Sequence, residues 1–108
     1  MLNIKDLDAE LPNQAWELLD MKWYRAHNWQ CFGDLGSRQP YASIYTSLGC
    51  PFKCDFCCIN APFGENRYRM RKPDDVIAEI AYLHRWHGVN TFKIVDEMFV
   101  LSPKHYVA

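Results

Sequence analysis

Tyr41-Ala42-Ser43-Ile44-Tyr45-Thr46-Ser47-Leu48-Gly49-Cys50-Pro51-Phe52-Lys53-Cys54-Asp55-Phe56-Cys57-Cys58 opens on a β-forming run and closes on four clustered cysteines. The run from Tyr41 to Ser47 is rich in β-branched and aromatic residues. Ile44 and Thr46 face opposite to Tyr45, so the pattern predicts a strand. Gly49 and Pro51 end it, and the cysteine loop follows directly. Further along, Pro73 to His87 reads as a helix. Proline suits a first turn, where it has no amide hydrogen to lose, and Asp74 and Asp75 meet the positive end of the helix dipole. Val76, Ile77, Ile80, Leu83 and His84 fall on one face at helical spacing, and Gly88 is a natural stop. Thr91 to Val95 reads as a second strand. Strand, long loop, helix, short turn and strand make a βαβ unit, so the class is α/β and the two strands are expected to be parallel. Ser102-Pro103 reads as the start of another helix, with serine as N-cap. That helix is cut short, so the chain is expected to be a fragment.

Residues 1–40 read as a lead-in segment, mostly helical or irregular, before a second part over 41–108. Leu11-Pro12 starts a helical pattern in which Ala15, Trp16, Leu18 and Leu19 cover one face. Gly33, Gly36 and Pro40 then punctuate the chain.

Cys50, Cys54 and Cys57 have the spacing C-x3-C-x2-C on a loop after a strand, which suits one iron–sulfur cubane, since thiolates are the soft ligands such clusters take. Three ligands leave one iron of a four-iron cluster open to a small molecule. Structural zinc is the competing reading, and it takes four ligands. Its fourth here would be Cys58 or a distant histidine; adjacent cysteines on one tetrahedral ion are strained, and no partner pair stands elsewhere. A plain ferredoxin site needs a fourth spaced cysteine, for which Cys31 is the only distant candidate. A disulfide framework would spread its cysteines along the chain, so clustering points to metal in a reducing compartment, and a cytoplasmic location is expected. The net charge of −1 shows no basic bias toward nucleic acid. No apolar run approaches the ~20 residues of a membrane span. The polar stretch Met1 to Glu10 is unlike a signal peptide.

Cys50-Pro51-Phe52-Lys53-Cys54-Asp55-Phe56-Cys57 resembles the C-x3-C-x-aromatic-C motif of the radical S-adenosylmethionine superfamily, aromatic position included. The motif lies where that family has it, after the first strand of an incomplete, TIM-like β/α barrel. The resemblance covers roughly residues 41–108 and implies the N-terminal portion of such a barrel. It implies a 4Fe–4S cluster on Cys50, Cys54 and Cys57, with the amino and carboxylate groups of S-adenosylmethionine chelating the open iron. It also implies reductive cleavage to a 5′-deoxyadenosyl radical and an electron donor such as flavodoxin or ferredoxin. Phe56 matches the aromatic beside the adenine, with simple packing on the barrel as the alternative. The family commonly has a glycine-glycine-glutamate motif after the second strand, which holds the cofactor's amino group. This chain lacks the glycines and has Asp96-Glu97, so either carboxylate is a candidate, and a solvated acidic pair is the alternative. The segment from Leu11 to Leu19 also resembles the linker before the barrel in cobalamin-dependent members, which implies cobalamin bound mostly outside this chain. The substrate and the reaction after radical formation are not legible. The competing expectation is a zinc- or iron–sulfur-stabilised module without catalysis.

Other signals read as structural. Arg67, Arg69 and Arg71 alternate as a solvated strand face, with an anionic substrate or the cofactor carboxylate as the other reading. His84 and His87 read as helix histidines rather than a metal pair. Trp16, Trp23, Trp29 and Trp86 are expected in the core, and Cys58 as a buried thiol.

Overall fold

A computed structural model describes residues 4–11, 13–27, 29 and 33–107. Pro12 and Cys31 lie outside the described residues. The chain divides into two compact units. One comprises Met1–Pro12, Tyr45–Val76 and Asp96–Ala108, and the other Asn13–Ile44 and Ile77–Val95.

In the second unit, β1 (Tyr41–Ile44) pairs in parallel with β4 (Thr91–Ile94), Tyr41 opposite Thr91 and Ile44 opposite Ile94. Val95 N–H extends the ladder to the Ile44 carbonyl at 2.9 Å. The connection between them includes the helix α2 (Pro73–His87), as the βαβ reading requires. Ala42 and Ile44 alternate with half-buried neighbours and enter the core with Trp16, Met21, Ala26, Leu83 and Val89. Each large aliphatic buried in this way contributes on the order of 1.5–3 kcal/mol.

The bounds of α2 match those read from the pattern, for physical reasons visible at its ends. Pro73 opens it, Asp74 and Asp75 lie in the first turn, and His84, Arg85 and His87 lie in the last. Gly88 follows at φ +64°, and two bonds close the helix, from Gly88 N–H to the His84 carbonyl and from Val89 N–H to the Leu83 carbonyl, each at 3.2 Å, so a left-handed glycine ends it. The buried stripe is rotated from the expected one. Val76, Glu79 and Leu83 are buried and Ile80 is half-buried, whereas Ile77 is 57% exposed and His84 is exposed. Glu79 goes inward because the indole Nε1 of Trp16 donates to its Oε1 at 2.7 Å, giving a buried carboxylate a partner.

The expected helix after Leu11 is a single 3-10 turn, Trp16–Leu18. Only Trp16 of its apolar set is buried; Leu18 is 79% and Leu19 40% exposed. Trp23, Trp29 and Trp86 are likewise exposed. Trp23 donates to Asp20 and has the Lys22 ammonium over its ring, and the Lys93 ammonium lies over Trp29. Polar partners, rather than a core, hold those two indoles.

In the first unit, α1 (Leu7–Glu10) is capped by the Asp6 side chain, which accepts from the N–H groups of Asp8 and Ala9. β2 (Ser47–Leu48) runs antiparallel to β3 (Arg69–Met70). The run read as one strand is therefore two, with Tyr45 and Thr46 between. α3 (Pro103–Tyr106) starts where Ser102-Pro103 predicts, but the serine side chain makes no capping bond.

Arg69 and Arg71 are buried, at 3% and 4% exposure, which corrects the reading of a solvated arginine face. The Arg69 guanidinium donates to the carbonyls of Ile4 and Arg67 and to Glu65 Oε1, and stacks on the Phe63 ring. Arg71 donates to the Tyr45 carbonyl and lies over the Tyr45 ring. A planar, weakly hydrated cation with five donors tolerates burial when acceptors and a ring face surround it. Arg67 alone stays exposed.

Candidate metal centre

The cysteine loop is anchored at its root. Gly49 sits at φ +82°, and a Cβ there would lie 2.3 Å from the Arg67 carbonyl oxygen, so a side chain has neither the backbone conformation nor the room. One residue on, the Asn60 amide grips the Cys50 backbone in both senses. Cys50 N–H donates to Asn60 Oδ1 at 3.1 Å, and Asn60 Nδ2 donates to the Cys50 carbonyl at 2.8 Å. Asn60 is itself held, since its carbonyl accepts from the N–H groups of Phe63 and Gly64. Asn66 donates to the Phe52 carbonyl. The loop is thus fixed through its backbone, which leaves the thiols uncommitted.

Cys50 is half-buried, Cys54, Cys57 and Cys58 are exposed, and all four are free. Cys58 is therefore not the buried thiol expected; the whole stretch from Pro51 to Cys58 is exposed and offers no apolar surround. Cys54 and Cys57 line a hollow of about 510 Å³ together with Phe52, Asn60 and Glu65, and Cys50 stands outside that lining. Among the described residues no three His, Cys, Asp or Glu side chains converge tightly enough to hold a metal ion. The donor chemistry suits a cluster, with three soft, uncommitted thiols on one anchored segment, but they are not gathered at one point. Phe56 is 94% exposed, so packing on the chain does not employ it.

Asp96 and Glu97 follow β4 and differ sharply. Glu97 is exposed, whereas Asp96 is half-buried and accepts from Thr46 N–H (2.7 Å), the Ser47 hydroxyl (2.7 Å) and the Thr46 hydroxyl. Thr46 Oγ1 also lies 2.7 Å from His105 Nε2. Thr46, Ser47 and His105 are all buried. Tyr68 and Phe99 present their rings edge-on to the imidazole, and the Tyr68 hydroxyl donates to the Met98 carbonyl. Sequence reasoning singled out Asp96 but missed Thr46, Ser47, His105 and Asn60, because each of these reads as an ordinary polar residue and its partners are distant in the chain. The one available hint was a hydroxyl pair, Thr46-Ser47, at the end of a strand that leads into a metal loop. His84 and His87 do not form a pair. His84 Nδ1 lies 3.2 Å from the Val89 carbonyl and His87 Nε2 3.5 Å from the Tyr82 hydroxyl.

No family model matches the chain, and no solved structure does. Curated relatives match nearly its whole length. An uncharacterized methyltransferase of Pyrococcus horikoshii is 32% identical over 104 residues, covering 96% of this chain and 20% of the relative. An anaerobic magnesium-protoporphyrin IX monomethyl ester cyclase of a Synechocystis strain is 36% identical over 94 residues, covering 87% and 16%. Cytidylyl-2-hydroxyethylphosphonate methyltransferase of Streptomyces wedmorensis is 32% identical over 106 residues, covering 97% and 19%. The chain spans between about a sixth and a fifth of the length of these curated relatives.

Proposed function

From the premise that this chain belongs to the radical S-adenosylmethionine family, as its relatives do, we propose that it is the part of such an enzyme that carries the cluster loop. Residues 41–108 are then the N-terminal portion of a TIM-like β/α barrel, and residues 1–40 the lead-in to it. Cys50, Cys54 and Cys57 hold a 4Fe–4S cluster. The observation that carries this reading is the loop itself: three free thiols at C-x3-C-x2-C spacing, on a segment whose backbone is pinned by Gly49 and Asn60.

When bound, the cluster supplies the electron that cleaves S-adenosylmethionine. The chain's own residues bind and orient. The thiolates neutralise and fix the metal. Phe56, exposed two residues after Cys54, offers a ring face to adenine. The carboxylates of Asp96 and Glu97 supply negative charge for the cofactor's ammonium group, at the C-terminal edge of a parallel strand where such folds place ligands. Clustered free thiols support a reducing, cytoplasmic setting, with flavodoxin or ferredoxin as donor. Among the described residues no helix is long and apolar enough to cross a membrane. The likeness of residues 11–19 to a linker in cobalamin-dependent members extends the proposal to cobalamin held largely outside this chain.

Metal analysis of protein prepared without oxygen tests the reading. About four iron and four sulfide per chain are expected. One zinc per chain, with no sulfide, would instead establish the structural-metal alternative. A second test addresses the acidic pair. Glu97→Ala is expected to weaken S-adenosylmethionine binding about tenfold, the loss of one charge-assisted contact, with iron content unchanged. Equilibrium binding to the reconstituted protein measures it, and unaltered affinity would make Glu97 a surface residue.

A further inference from the structure

With the Asp96 carboxylate ionised, the cluster around Thr46 has one consistent arrangement of protons. An ionised carboxylate only accepts, so the Thr46 and Ser47 hydroxyls each spend their single proton on Asp96. Thr46 Oγ1 then has only lone pairs to offer His105, 2.7 Å away, and the ring must donate. The chain of donation runs from His105 Nε2–H to the Thr46 hydroxyl to Asp96 Oδ2, while Asp96 Oδ1 takes the Thr46 N–H. The imidazole is 7% exposed, between the edge-on rings of Tyr68 and Phe99, where water does not readily replace a lost partner.

We infer that His105 is a positioning residue of the candidate site: acting through the Thr46 hydroxyl, it holds the Asp96 carboxylate inward and leaves Glu97 as the carboxylate available to a cationic ligand group. This rests on the reading that the Asp96-Glu97 pair meets the ammonium group of S-adenosylmethionine. Asp96 spends its oxygens on the root of the cysteine loop, since Ser47 opens β2 and Gly49-Cys50 follow that strand directly. Adjacency in the chain then couples the place of Glu97 to the place of Cys50. Loosening His105 lets the Asp96 carboxylate turn and shifts Glu97, without touching any thiol.

Two measurements on anaerobically prepared protein test this. The first is the nitrogen-15 spectrum of His105, which is expected to show a protonated Nε2; an unprotonated Nε2 would overturn the donor chain. The second compares four variants for iron content and for S-adenosylmethionine affinity. His105→Leu and Thr46→Val remove the donor and the relay at similar volume, and each is expected to weaken binding about tenfold with iron unchanged. His105→Gln and Thr46→Ser keep a donor and a hydroxyl, and are expected to restore affinity to within about threefold of wild type. Wild-type affinity in the apolar pair would overturn the inference. So would parallel loss of iron and affinity in all four, the mark of a merely structural role. A wild-type protein without iron would sink the cluster reading instead, and the His105 tautomer would still decide the donor chain.

Discussion

Replacing any one of Cys50, Cys54 or Cys57 with alanine is expected to take iron from about four per chain to below about one. Each supplies one of only three protein thiolates, and a cubane held by two thiolates on one short loop is open to loss of iron. The three are not equivalent in their surroundings. Cys50 is half-buried with its backbone gripped by Asn60, and Cys54 and Cys57 stand exposed on the hollow. None of their side chains contributes to the core, so the variants are expected to keep the fold and lose the metal. Far-ultraviolet circular dichroism beside iron and sulfide analysis makes the distinction. Cys58→Ala and Cys31→Ala serve as controls and are expected to retain the cluster. Loss of metal in Cys58→Ala together with retention in Cys50→Ala would show the ligand set to be wrong.

Gly49→Ala is expected to be nearly as damaging, by a route that leaves every thiol in place. The left-handed conformation costs a non-glycine residue roughly 1–2 kcal/mol. The larger effect is steric, because the new Cβ meets a backbone carbonyl 2.3 Å away, and no rotamer change relieves a clash with backbone. Either β2 or the Arg67 segment must move, and Asn60, whose Oδ1 would lie 3.2 Å from the same Cβ, moves with them. The Cys50 clamp then opens. Loss of at least half the bound iron is expected, with a fall in thermal midpoint of several degrees. A variant with normal iron content and melting temperature would show that the loop root tolerates displacement.

What the sequence made legible is what local chemistry decides. Pro73, the acidic pair after it and Gly88 bound α2 because each acts within one turn of its own position, and the parallel pairing of β1 and β4 follows from the helix between them. The inward stripe of α2 is rotated toward Glu79, a charged residue that apolar periodicity does not mark. Its burial depends on Trp16, 63 residues earlier. Arg69 and Arg71 were misread for the same reason: their acceptors include the carbonyls of Ile4 and Tyr45, invisible to any periodicity. Alternation along a short strand shows which residues share a face, not whether that face meets water. The start of the cysteine loop was legible too, because Gly49 and Pro51 mark it locally at the end of a β-forming run. The hydroxyls, the histidine and the asparagine that organise the loop carry no spacing rule.

The Thr46 cluster also bears on how the chain reaches its folded state. Its hydrogen bonds join residues 49, 50 and 59 apart in sequence, and contacts of such separation come together late because long loops must close first. Closure entropy grows only with the logarithm of loop length, so the span of 59 residues costs about 0.6 kcal/mol more than one of half that length. Until it closes, the two hydroxyls at the root of the cysteine loop and the distant carboxylate and imidazole each remain hydrated. Desolvation of this polar group and capture of the loop root are therefore one event in time, and the thiols face solvent throughout the stages that precede it.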